Sequence, residues 1–118
     1  MTLPLNKEML GAMYSYLSAT PPFNKWNLPD AEEIKFTVIR AKGVHGRYVT
    51  DRKGWREIQI SSASVGYTPS LSETMAHEMI HLFEDVSGPF NKSEHTEAFR
   101  KYAKLVCKYH GFDPKTFY

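Results

Sequence analysis

The segment His77-Glu78-Met79-Ile80-His81 constrains the fold more than any other stretch of the chain. Histidines four apart on an α-helix lie about 6 Å apart along the axis and about 40° apart in rotation. On a helix both imidazoles therefore reach one cation, and Zn²⁺ takes nitrogen at about 2.0–2.1 Å. Glu78 sits about 100° around the helix from His77, so its carboxylate can touch a zinc-activated water without ligating the metal. That arrangement suits a general base beside a Lewis acid. Leu71, Met75, Met79, Leu82, Phe83 and Val86 form an apolar stripe in the same helical phase, with His77 and His81 roughly opposite. The competing reading of these two residues is as solvent-exposed histidines without a role.

The flanks predict where this helix begins and ends. Ser70-Leu71-Ser72-Glu73 reads as a capping box, and Gly88-Pro89 stops continuation after about Val86. Upstream, residues 6–19 read as a first helix capped by Asn6, with Met9, Ala12, Met13, Tyr16 and Leu17 on one face and Thr20-Pro21-Pro22 ending it. The Pro- and Asn-rich residues 23–30 form a loop. Ile34, Phe36 and Val38 alternate with polar residues and predict an inward-facing strand. Residues 47–50 and 55–61 are two more strands, joined by the hairpin loop Asp51-Arg52-Lys53-Gly54. Residues 93–110 read as a third helix, stopped by Gly111. The result is a single α+β domain over residues 1–118: a small three-stranded sheet against an N-terminal helix and two C-terminal helices bearing the metal site.

A catalytic zinc of this type needs a third protein ligand and an open fourth position. The metzincin continuation is excluded, because Glu84 and Ser87 stand where it requires Gly and His. His95 is the best candidate. A loop of about six residues can return it to the metal, and it shares a helical phase with Phe99, Tyr102, Ala103, Val106 and His110. Glu94 and Glu97 are alternative third ligands, and a buried structural role is the alternative for His95 itself. Asp85 lies a further turn along and reads as supporting or solvated. His45, between two glycines, reads as solvated, and His110 at a helix end needs no metal.

Charge is blocky although its net is only +2. Residues 35–56 carry a net of +6, residues 57–97 a net of −6, and residues 98–118 a net of +4. Arg40, Lys42, Arg47, Arg52, Lys53 and Arg56, with Arg100, Lys101, Lys104 and Lys108 on the last helix, suggest basic surfaces for DNA. Trp55 is a candidate stacking residue for an unpaired base, unless it is buried against the first helix. A lone cysteine, Cys107, excludes internal disulfides and a cysteine-based zinc ribbon, and reads as a small helix residue without redox chemistry. No membrane-spanning run and no signal-like start is seen, so a cytoplasmic monomer is expected, nucleoid-bound or nuclear if it associates with DNA.

The runs 72–81 and 94–99 together resemble the SprT/Spartan family of zinc metalloproteases. That family's pattern is ET-x-x-HE-x-x-H on one helix and a later H-G-x-x-F. The resemblance implies a zincin-like fold, with His77, His81 and His95 as zinc ligands, Glu78 as catalytic base and Phe99 as the apolar residue. Thr96 stands where the pattern has Gly, and the zinc ribbon found after many such cores is not expected. The function implied is hydrolysis of protein substrates by a zinc endopeptidase, including DNA-bound or DNA-crosslinked proteins in crosslink repair. Tyr67, His45 and Arg47 are candidates for stabilising the oxyanion. Two other functions compete: a DNA-binding module with structural zinc and weak or no peptidase activity, and a zinc hydrolase of small amides.

Overall fold

The computed structural model describes residues 5–51, 53–63, 68–87 and 96–117. Helix α1, Lys7–Ser18, starts where Asn6 accepts the Met9 N–H at 2.8 Å. Its buried face is Leu10, Tyr14 and Leu17, and the expected face is rotated away: Tyr16 is 64% exposed. Tyr14 sets this rotation. Its hydroxyl donates to the Pro29 carbonyl at 2.6 Å and its ring lies 5.5 Å from Phe36, so the polar end is satisfied inside. Tyr16 has no comparable partner in the sheet and stays outside.

Three strands follow: β1 Lys35–Ile39, β2 Gly46–Thr50 and β3 Arg56–Ser61, in the spatial order β1-β3-β2. The expected hairpin is present, with β2 antiparallel to β3 from Thr50↔Arg56 to Gly46↔Ile60. Its loop is held by Asp51, whose Oδ1 accepts the N–H groups of Lys53 and Trp55 at 2.7 and 2.9 Å, and Gly54 takes φ +115°. β1 joins the other side of β3 in parallel, from Lys35↔Glu57 to Ile39↔Ser61. β3 is therefore central, and β2 is an edge among the described residues.

Helix α2, Thr68–Ser87, lies at the centre of the molecule, touching α1, β2 and β3. Leu71, Met75, Met79 and Leu82 are buried as the stripe requires, and Ala76 and Ile80 are buried as well. The helix begins two residues before Ser70, so Ser70 is inside it and not its N-cap. Pro69 explains the earlier start, since its fixed φ suits the first helical turn.

Helix α3, Glu97–His110, also departs from expectation at its start. Thr96 is its N-cap, with extended backbone and a hydroxyl oxygen that accepts the Phe99 N–H at 3.2 Å, so the ladder begins at Glu97 and not at residue 93. Gly111 closes it in the left-handed conformation, φ +76°, as expected. A fourth helix, α4 Pro114–Phe117, was not anticipated; it is one turn long and buries Phe117. Cys107 is buried, and that burial pushes its thiol up, away from thiolate chemistry. No helix among the described residues is long and apolar enough to cross a membrane.

Candidate metal centre

α2 carries His77 and His81 on one face, with ring centroids 5.3 Å apart. His77 Nδ1 lies 2.8 Å from the Phe117 main-chain carbonyl. A carbonyl only accepts, so the imidazole donates from Nδ1 and keeps its lone pair on Nε2, the nitrogen a metal takes. His81 Nδ1 lies 3.3 Å from Glu84 Oε1. Phe99, fully buried on α3, backs both rings at 4.6 Å from His81 and 5.0 Å from His77. His81 is itself buried, which overturns the reading of that residue as a solvent-exposed histidine without a role.

Glu78 is 5% exposed, and burial pushes its carboxyl up to about 8. The wall beside it is the backbone of β2. A Cβ placed on Gly46 would sit 3.3 Å from Glu78 Oε2, 3.0 Å from Thr74 Cγ2 and 2.9 Å from the Gln59 carbonyl oxygen. Glycine is required there by close approach of strand to helix. The edge strand and the candidate base are thus neighbours.

The donor set fits a divalent cation: two imidazoles whose Nδ1 atoms face internal oxygens, beside a buried carboxylate. Among the described residues, no group of three His, Cys, Asp or Glu gathers to hold a metal. Glu97 is exposed in the first turn of α3, so it does not join the pair and falls as a third ligand. His95 and Glu94 lie outside the described residues. Asp85 is engaged structurally: its Oδ2 accepts the Tyr48 hydroxyl at 2.6 Å and lies 3.6 Å from Arg56 Nε.

Other candidate residues separate. Arg47 follows Gly46 in β2, so alternation turns it to the opposite face of the sheet, away from Glu78. It is no oxyanion group. Tyr67 is outside the described residues, and His45 is exposed. His110 lies 3.0 Å from the Thr20 hydroxyl through Nε2, a structural role that needs no metal.

Arg56 Nε lies 3.6 Å from Asp85 Oδ2, while its side chain remains 32% exposed. Arg40, Lys42, Arg47 and Lys53 are exposed, as are Arg100, Lys101, Lys104 and Lys108 on α3, and Arg52 lies outside the described residues. Trp55 is 45% exposed and not in the core. Its indole N–H donates to Glu57 at 3.2 Å, and Lys35 Nζ lies 5.3 Å from its ring centroid.

Gly46, Glu84 and Phe117 were missed from the sequence. A glycine opening a strand was the one available sign, since it often marks close backbone approach. A main-chain carbonyl that accepts from its place in a distant turn leaves no trace in residue type.

The model of the SprT-like family matches residues 15–117 of the chain. No curated protein and no solved structure matches it.

Proposed function

The chain belongs to the SprT-like family, and from that premise we propose that it is a zinc-dependent endopeptidase of the HExxH…H type with a zincin-like helix pair. His77, His81 and His95 hold the metal, and Glu78 is the general base. The observation that carries the reading is the pair of imidazoles on α2 with a buried carboxylate between them and an edge strand. His95 is supported by its neighbours in the chain. The Thr96 hydroxyl lies 3.4 Å from Glu84 Oε2, the carboxylate that faces His81. Phe99 rests on both rings. Thr96 in place of glycine is accommodated as the N-cap of α3.

Zinc, when bound, supplies a Lewis acid that polarises the scissile carbonyl and acidifies water. Glu78 accepts a proton from the attacking water at its carboxylate and returns it to the leaving amine nitrogen. Its low-dielectric surroundings strengthen that proton affinity. An extended substrate adds as a further strand along β2, which brings its main chain past Gly46 and so beside Glu78. The test is metal content with cleavage. Wild type should hold one Zn²⁺ per chain and cleave an unfolded protein, and His95→Ala should lose most of the metal. Full zinc occupancy at unchanged affinity in His95→Ala would sink the ligand assignment.

The substrates proposed are DNA-bound proteins, because exposed cations on the hairpin side and on α3 supply non-specific DNA contacts. Trp55, exposed and held through Glu57, favours unpaired bases. Arg47→Glu with Lys53→Glu should lower DNA affinity and reduce the log–log salt slope by roughly 0.9 per lost phosphate contact on duplex. Unchanged binding and unchanged DNA stimulation at low salt would remove this face from the DNA site. DNA binding that persists while no protein is cleaved would favour the binding-module reading.

A further inference from the structure

We infer that Phe117 and Glu84 are positioning residues: the Phe117 carbonyl takes the His77 Nδ1–H, the Glu84 carboxylate faces His81 Nδ1, and both Nε2 atoms are so presented to a single cation. The inference rests on the zinc reading above and concerns only residues of this chain. A neutral imidazole has one N–H, and either ring nitrogen can carry it. In water the choice is nearly open, so a metal site gains affinity when an internal acceptor makes it beforehand.

For His77 that acceptor is the Phe117 main-chain carbonyl, at 2.8 Å and 40 residues away in sequence. The carbonyl is held at both ends. Within α4, the Phe117 N–H donates to the Asp113 carbonyl at 3.0 Å. The Phe117 ring is 3% exposed and stacks on Phe112 at 5.6 Å, and Phe112 stacks in turn on His110 at 5.6 Å. His110 reaches the Thr20 hydroxyl at 3.0 Å. An aromatic column thus ties α4 to the end of α3 and to the chain just after α1. The single turn that ends at Phe117 has no ladder long enough to persist alone, and this column supplies its anchorage.

For His81 the facing oxygen is Glu84 Oε1, three residues along α2, at an ion-pair distance of 3.3 Å outside hydrogen-bond geometry. Its other oxygen faces the Thr96 hydroxyl at 3.4 Å, so the same carboxylate joins His81 to the N-cap of α3. The two oxygens come from different elements and face different rings. Substituting them separately should therefore weaken the site in separable ways.

The experiment reads tautomer and affinity. Long-range ¹H–¹⁵N spectra of metal-free wild type at pH 8 should show His77 protonated on Nδ1. Phe117→Ala should give mixed tautomers, and Phe117→Leu, which keeps an apolar anchor, should restore the wild-type form. Chelator competition should show zinc affinity falling about 10–100-fold in Phe117→Ala and in Glu84→Ala. Glu84→Gln, which retains an acceptor oxygen, should recover most of the loss. Glu84 is on a long, well-packed helix, so its variants report even if Phe117→Ala fails to fold. His77 found protonated on Nε2 in the wild type, or zinc affinity unchanged in both alanine variants, would overturn the inference. A wild type that binds no zinc while His77 keeps the Nδ1–H form would instead overturn the zinc reading.

Discussion

Glu78→Gln is expected to abolish most peptide cleavage while leaving the fold and the zinc content intact. The side chain is nearly isosteric, so the pocket bounded by Gly46 and Thr74 should accept it without rearrangement. What it loses is the ability to take a proton. General base catalysis contributes about 10²–10⁴-fold, and the loss should fall on kcat with little change in KM. Metal and activity lost together would contradict the division of roles between the histidines and Glu78.

The same variant gives a second readout in metal-free protein. The folded carboxyl is raised to about 8 from an ordinary value of 4.5, because burial penalises its charge. Below 4.5 the group is protonated in both states and costs nothing. As pH rises from there through about 8, the unfolded chain ionises first, so stability falls across that window. The slope is about 1.4 kcal/mol per pH unit at most. Glu78→Gln removes this dependence, and its thermal midpoint after chelation should stay flat where the wild type declines. Parallel curves would mean that the carboxylate is solvated.

The candidate residues of α2 and the fold of the hairpin were legible because each is local. His77, Glu78 and His81 lie within five consecutive positions, and helical periodicity alone aligns them. Asp51 and Gly54 fold the hairpin from within its own loop. Boundaries were less legible where two rules competed. At the start of α2 the proline rule prevailed over a capping box two residues later. At α1, hydrophobicity favoured Tyr16, yet Tyr14 went inside because the Pro29 carbonyl was there to receive its hydroxyl. That acceptor is 15 residues distant and has no signature in α1. The approach of Arg56 to Asp85 was illegible for the same reason: Asp85 lies on another element. The parallel pairing of β1 with β3, and the carbonyl of Phe117 on His77, are non-local in the same sense. Single-sequence periodicity reports which face is apolar, but not what the polar end of an inward residue will meet.

Gly46→Ala is expected to lower stability and activity together, an unusual outcome for adding one methyl group to a strand. Alanine suits β-structure at least as well as glycine, and the backbone at this position is not in the left-handed region, so propensity predicts a small gain. Contact overrides it. The added carbon would lie 2.9 Å from the Gln59 carbonyl oxygen, a main-chain atom of the neighbouring strand that cannot swing aside. Overpacking of this kind costs about 1–3 kcal/mol, and each kcal/mol lowers Tm by roughly 4–8 °C in a domain of 60–100 residues, somewhat less in a longer one. Relieving these contacts requires β2 to shift against both β3 and α2, which moves the Gly46 backbone relative to Glu78 and shifts the base relative to a strand-bound substrate. Zinc content should be unchanged, because neither His77 nor His81 touches this carbon among its nearest contacts. Gly11→Ala is the matched control. There the new carbon meets the Phe36 ring at 3.9 Å, ordinary van der Waals contact, in the middle of α1. That change should raise stability by about 0.4–1 kcal/mol through the unfolded chain, with activity untouched. Thermal melts of the two variants beside wild type, with turnover at a temperature where all are folded, decide the matter. Equal stability of Gly46→Ala and wild type would show that β2 does not press on α2, and the proposed path of substrate beside Glu78 would lose its support.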